Sequence, residues 1–545
     1  MSEPIHTVVI GAGPGGLVAA AALASVGHRV TVLEHHGIVG GNCTVFRHGE
    51  YEFDVGLHYI GEAAPGSAMN ALLRTLGIAD RIAFRPLDRE FDTLLFPGLT
   101  FRVPTGWPDY EQRMVDAFPD EAEGLATYSA ILRAVSSQAR RGRGDELFKW
   151  GLAPLSDLFE HCQLSERCRA VVGHWRGLYG SAAHESSVAI HALIADHYMR
   201  GACYPEGGGQ MIPARLTEVI EALGGEIRVK TTVSRIIVDN GRAVGVELES
   251  GETIRADQVV SNADYKRTML DLVGPDHLKS STVEAVEASV MTYPLLCVYV
   301  VVDIDLAERV PNTNYFIFSS FDTEDDFKTL ESGEFPTEPF AYMAFASLKD
   351  PGNERLCPPG HTNFQIMTLA PRDYRVWGVE HGPADGQTYR RNSTYKRRKA
   401  EVTEALLSQA EKAIGPFRDH IVHLETATPL TQERYTRSTS GTSYGLMASP
   451  EQTGPFRPDY TTEIEGLFLV GASTQAGHGI MGAMIGGLSG AAAASGIDLL
   501  SRLAPDAEPL VDSSILPPDP DDWDPLEVSR GVAMRALRAE RNDNA

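Results

Sequence analysis

Apolar positions open the chain as a short run, Val8-Val9-Ile10, which breaks at a cluster of glycines. A small-residue stretch, LVAAAALA, follows, and a second apolar run closes at Leu33. Short apolar runs bounded by glycine read as buried strands, and the alanine-rich stretch between them reads as a helix. HTVVIGAGPGGLVAAAALASVGHRVTVLEHH therefore predicts strand, tight turn, helix, turn and second strand.

Farther along, residues 108–200 read as helical. YPEGGGQMIPARLTEVIEALGGEIRV predicts a glycine-rich turn, an amphipathic helix, a glycine stop and a strand. The next stretch alternates as strands joined at Asn240-Gly241 and Ser250-Gly251. Residues 290–372 are rich in β-branched and aromatic side chains, which suits a second sheet forming the floor of a cavity. Residues 395–414 form a long amphipathic helix whose KRRK run reads as a solvated face. Residues 480–497 carry no charge, and Gly482, Gly486 and Gly490 repeat every fourth position, as on a transmembrane packing face. Five glycines and two serines dilute that segment, and no basic or aromatic anchor flanks it, so it reads as a buried helix instead. After Leu503 the chain turns Pro- and Asp-rich, a disordered linker by composition, and ends in a short basic helix carrying Arg530, Arg535, Arg538 and Arg541.

The glycines carry chemistry. Gly11, Gly13 and Gly16 have GxGxxG spacing, with Glu34 eighteen residues beyond the last. Gly11 permits the turn, Gly13 lets the backbone approach a pyrophosphate, and Gly16 lets helix pack on strand. The helix N-terminus faces the negative charge, and Glu34 is placed to accept hydrogen bonds from a ribose. This spacing predicts an adenine-dinucleotide site.

Composition narrows the partners. The chain has 545 residues, enough for two to four domain-sized units, and 43% hydrophobic residues, ordinary for a globular protein. A net charge of −25 argues against nucleic acid and against anionic membranes in general. Six cysteines without CxxC spacing and no signal-peptide pattern suggest a reduced, cytoplasmic compartment. One local exception is QARRGRGDELFKW at 138–150, where Arg140, Arg141, Arg143 and Lys149 stand beside Phe148 and Trp150. It reads either as a solvated loop or as an interfacial patch giving peripheral membrane contact at the mouth of a substrate tunnel.

Several separated motifs together resemble the phytoene desaturase, carotenoid isomerase and retinol saturase group of flavoproteins. They are GAGPGG with Glu34, Gly40-Gly41 with Cys43, FDVGLHYIG at 53–61, HALIADHYMRGACYPEGGG at 191–209, VVSNAD at 259–264, TPLT at 428–431 and LFLVGASTQAGHGIMGAMIGGLSGA near the end. The FDVGLHYIG and HALIADHYM pair is nearest the retinol saturase branch. Where the desaturases carry a proline-glycine pair, this chain has Ala476-Gly477-His478. The resemblance implies an α/β fold: a Rossmann-like FAD-binding domain of the glutathione-reductase/amine-oxidase type with an inserted α+β substrate domain. The FAD-binding part would take 1–105, 201–289 and 425–503, and the substrate or lid part 106–200 and 290–424. Residues 504–545 are left as tail.

By the same resemblance the cofactor is FAD. Gly11, Gly13, Pro14, Gly15 and Gly16 would hold its pyrophosphate and Glu34 its ribose. Gly41 and Asn42 would lie along the dinucleotide, Val233 against the adenine, Gly471 beside the ribityl chain, and Met481 at the flavin pyrimidine. The activity implied is saturation or desaturation of C=C bonds in a hydrophobic polyene or isoprenoid lipid. Redox-neutral cis–trans isomerisation, amine oxidation and non-enzymatic prenyl-lipid escort are the alternatives. Candidate proton handlers are His58, Tyr59, Tyr444 and His478, which share segments expected to line the flavin. His191, His197 and Tyr198 read as packing residues, and no metal-ligand spacing accompanies the histidines. No second GxGxxG appears, so the electron donor or acceptor is a separate reductase, a transiently bound nicotinamide, oxygen or a quinone.

Overall fold

The computed structural model describes residues 3–543, with side chains to residue 538. At its centre five parallel strands run in the order Glu226–Arg228, Arg29–Leu33, His6–Ile10, Gln258–Ser261 and Leu467–Leu469. Successive side chains of a strand point to opposite faces. Val9, Val30 and Val32 therefore pack against the helix Pro14–Ser25, while Val8, Ile10 and Leu33 pack against an antiparallel layer of Val233–Asp239, Arg242–Leu248 and Thr253–Arg255. Both faces are covered, which is why these strands read as unbroken apolar runs.

The uncharged helix is Gly479–Ser495, and it lies along Pro14–Ser25. Its glycine stripe and the adjacent Gly487 meet both backbone and the side chains of Thr474 and Val470. A Cβ on Gly486 would sit 3.1 Å from Gly471 O, one on Gly490 3.0 Å from Leu469 O, and one on Gly487 3.1 Å from Gly15 Cα. The repeat is a close-packing seam over the nucleotide turn. Among the described residues no helix is long and apolar enough to cross a membrane.

A second, seven-stranded sheet is ordered Ile421–Ala427, Leu295–Val302, Thr362–Leu369, Ala341–Ala344, Asn314–Ile317, Glu90–Phe96 and Leu99–Pro104. In Leu295–Val302, Leu296, Val298 and Val300 pack with Val402, Leu406 and Ala410 of the helix Ser393–Ile414. The opposite face, with Cys297 and Tyr299, lines a large cavity, as the expected floor does.

Two expected boundaries are corrected. The hairpin Glu90–Pro104, assigned by sequence to the 1–105 nucleotide unit, pairs instead with Asn314–Ile317 and extends the second sheet. The tail from 504, expected to be disordered, is anchored. Arg74 donates to the Ala504 and Ala507 carbonyls (both 2.7 Å), Arg215 to Asp519 (2.7 Å) and Arg47 to Asp524 (2.7 Å), and Trp523 stacks on Arg215. Its acidic composition matches arginines scattered through the first half of the chain, a pairing that composition cannot reveal. The terminal helix Val532–Asp543 is engaged too: Arg535 pairs with Glu221 and Arg538 with Glu527. The side chain of Arg541 lies outside the described residues.

Candidate functional site

A cavity of about 2000 Å³ runs from the glycine turn to the second sheet. Known small-molecule sites occupy roughly 300–1000 Å³, so this one has room for more than one such ligand. Gly11, Gly13, Pro14, Gly15, Glu34, Gly41, Asn42, Val233 and Met481 line it. Gly16 and Gly471 do not. A Cβ on Gly16 would collide with the Gly11 carbonyl, and one on Gly471 with Asn262, so these two glycines shape the walls from behind.

The turn is built for an anion. Gly11 has φ +88°, and its N–H donates to Leu33 O at 2.8 Å, which ties the turn to the second strand. Glu34 accepts from Ala12 N (2.8 Å) and His36 N (2.7 Å). Burial raises its carboxyl pKa, and the two N–H donors oppose that rise. Two helix N-termini, at Gly13-Pro14 and at His478-Gly479, open onto the cavity, and each favours negative charge there. Asn262 also lines this end, with its amide beside Gly13, Gly15 and Gly471.

At the other end all four candidate proton handlers line the cavity. Tyr59 stacks on Tyr198 with centroids 4.1 Å apart and planes at 11°, and Tyr342 lies 6.3 Å from Tyr59 and 6.0 Å from His58. Tyr444 and His478 are 5.5 Å apart. Burial, reinforced by Lys349, drives His58 down to about 3; burial, reinforced by Arg457, does the same to His478. Both imidazoles are neutral at neutral pH and are not cationic acids.

Sequence reasoning missed what stands behind Tyr59. Its hydroxyl donates to Asp92 Oδ2 at 3.2 Å, Asn314 Nδ2 donates to Asp92 Oδ1 at 2.9 Å, and Lys349 Nζ donates to Asn314 Oδ1 at 2.6 Å. Asp92, Asn314 and Lys349 are all fully buried. Burial pushes the Asp92 carboxyl up to about 7 and the Lys349 ammonium down to about 7. Tyr59 itself lines the cavity with Tyr198 stacked on its ring, so the row ends at the cavity wall.

Arg457, 4% exposed, was also missed. It donates to the carbonyls of Thr474 (2.9 Å), Ala472 (2.6 Å), Leu446 (3.2 Å) and Gln452 (3.0 Å) and so fixes the loop leading to His478. Lysine carries the charge but not the planar fork. Arg457→Lys should leave two or so carbonyls unpaired at about 1–3 kcal/mol each, and the urea midpoint should fall accordingly.

His191 is a core histidine bonded to Tyr128 Oη (2.8 Å) and Tyr179 Oη (2.9 Å), and His197 accepts from Gly61 N (2.8 Å). The histidines that do converge are His48 and His423, whose ring nitrogens lie with Glu425 within 4.8 Å of one another near the cavity rim. The KRRK run is only partly solvated: Arg397 and Arg398 pair with Glu401 and Glu334, while Lys396 and Lys399 border the cavity.

Comparison with known proteins gives a consistent result. The model of the flavin-containing amine oxidoreductase family matches residues 14–495. Human all-trans-retinol 13,14-reductase is 29% identical over 486 residues, 81% of this chain and 77% of the relative. Prolycopene isomerase of Daucus carota is 26% identical over 545 residues, 94% of this chain and 83% of the relative. A solved oxidoreductase from Methanosarcina mazei shares the fold, with a TM-score of 0.62 at 18% identity over 89% of this chain and 99% of that one.

Proposed function

Because the chain belongs to the flavin-containing amine oxidoreductase family, it is an FAD-dependent oxidoreductase, and we propose that it acts on a carbon–carbon bond of a hydrophobic polyene of the retinoid or carotenoid class. Saturation of one double bond is the favoured direction. One observation carries the reading. The cavity leaves the glycine cradle and continues, without a partition, into a chamber walled by Tyr59, Tyr198, Tyr342, Leu193, Ile194 and Phe340. The names of the two relatives point to the same substrate class.

The cradle fits FAD. No side chain grows from Gly11, Gly13 or Gly15 into the strip below the helix N-terminus, and Glu34 and Val233 stand together beyond it. We assign the pyrophosphate to those glycines with Pro14, the ribose to Glu34 and the adenine to Val233. Gly41 and Asn42 lie along the dinucleotide, and Met481 with its helix N-terminus meets the ring end. Bound FAD supplies or accepts a hydride at its isoalloxazine ring.

Saturating a C=C bond adds a hydride to one carbon and a proton to its neighbour, and this chain's residues serve the proton. With Asp92 protonated, its O–H donates to Tyr59 Oη, and the Tyr59 hydrogen turns to the cavity that Tyr59 lines. With Asp92 ionised, the Tyr59 hydrogen turns back to the carboxylate. The aromatic walls hold the polyene flat and exclude water, which keeps the reacting atoms in register.

Product analysis tests the direction. Turnover in D₂O with reduced enzyme should give a polyene with one C=C bond fewer, carrying deuterium on the carbon that accepts the proton. A product with the same number of C=C bonds would identify isomerisation, the activity in the carrot relative's name.

A further inference from the structure

The cavity reaches the surface through a rim whose side chains do not belong on a water-facing surface. Phe148, in the helix Asp145–Trp150, is 95% exposed; Phe456 is 60% exposed and Leu152 41%. All three line the cavity opening. They sit on two segments held side by side. Ser187 Oγ bonds Thr453 Oγ1 at 3.0 Å, while the next two amides, Val188 N and Ala189 N, donate to Ala153 O and Gly151 O. Directly behind the rim are Leu147, Ile190 and Leu193, so the apolar surface is continuous from the tips to the interior.

The charges beside these tips select the partner. Arg141, Arg143 and Lys149 are exposed and have no carboxylate partner among the described residues, whereas Arg140 is held by Glu62 at 3.2 Å. Asp145 and Glu146 stand in the same helix, so the local surplus is a single positive charge (3 − 2). On a chain of net charge −25 that is a small island. At physiological salt distant charges are screened and a local surplus of one gives an anionic surface little attraction, while apolar insertion is indifferent to headgroup charge. A second copy of the chain would bring another −25.

We propose that the rim formed by Phe148, Leu152 and Phe456 inserts into the lipid–water interface of a bilayer of low surface charge, and that the cavity opens directly onto the acyl region. Phe148 and Phe456 enter the boundary between headgroups and acyl chains, and Arg141, Arg143 and Lys149 extend their stems over it with the charges at the phosphates. A lipid-soluble substrate then passes from membrane to cavity without crossing water. Only that last purpose rests on the polyene reading; the docking itself does not.

The experiment is flotation of the FAD-loaded full chain with phosphatidylcholine vesicles, and with the same vesicles containing one-fifth phosphatidylserine, at physiological salt. The wild type should float with phosphatidylcholine, and phosphatidylserine should change the bound fraction less than twofold. Phe148→Ser with Phe456→Ser should lower partition at least tenfold while the flavin spectrum shows the fold intact. Equal flotation of wild type and variant, or none by either, would overturn the proposal. So would a variant that changes only the sedimenting mass, since the rim would then be an interface between copies of the chain. No substrate is present, so an error in the polyene assignment leaves the flotation result standing, and failed flotation leaves polyene turnover untouched.

Discussion

Gly13→Val is expected to yield a folded protein that purifies with at most a tenth of the wild-type FAD, a loss of about 1.4 kcal/mol or more in binding. The backbone at Gly13 has φ −71° and ψ 173°, an extended conformation open to valine. The nearest atom to an added Cβ is the Asn262 amide nitrogen at 2.8 Å, the movable tip of a side chain. The fold therefore tolerates the branch, and the branch fills the cradle where the pyrophosphate is assigned. Gly15 is the contrasting case: its Cβ would meet Gly471 Cα at 2.7 Å and Ala483 O at 2.8 Å, both backbone. Gly15→Val should therefore lose stability as well as cofactor. Absorbance at the flavin bands together with circular dichroism separates the two. A yellow, fully loaded Gly13→Val protein would place the pyrophosphate elsewhere.

Asp92→Asn should lower kcat by about 10²–10⁴, the usual contribution of a positioned acid–base group, with KM and FAD content little changed. The substitution is isosteric and keeps an acceptor for Asn314, but an amide cannot pass a proton to Tyr59. Asp92 does not line the cavity; it acts through Tyr59, so the pH profile is the decisive readout. Burial holds its carboxyl near 7, far above the ordinary carboxylate range. The protonated, donating form is present below that pH and is lost above it, so saturation should decline as pH rises through about 7. In Asp92→Asn that limb should vanish, and Tyr59→Phe should lose it too. A variant with normal kcat and an unchanged limb would reduce the Lys349–Asn314–Asp92 row to a structural role.

Much of the nucleotide end was legible because its signals are local. Glycine spacing, the alternation of Val8, Val9 and Ile10 and the carboxylate at Glu34 all fall within about thirty residues. The second sheet was legible as a face, since its β-branched run alternates between helix and cavity. The proton-handling end was not. Asn314 and Asp92 are 222 residues apart, and Lys349 sits in SLKDPGN, which reads as a surface turn. Asp92, in EFDTLLF, reads as an outward strand position until the pairing with Asn314–Ile317 buries it. The tail was misread for the same reason: its Asp524 and Asp519 find Arg47 and Arg215, and its carbonyls find Arg74, through the fold and not along the chain.

The central claim is tested most directly by the visible spectrum of the purified protein, followed anaerobically after reduction while retinoids and carotenoids are added one at a time. The account predicts an oxidised flavin spectrum at the outset, bleaching on reduction, and return of the flavin bands with one polyene as that polyene's own absorbance falls. A flavin that is reoxidised by amine-derived imines but by no polyene would contradict the substrate class. A colourless protein that takes up no added FAD would contradict the enzyme itself and leave a lipid-binding escort in its place.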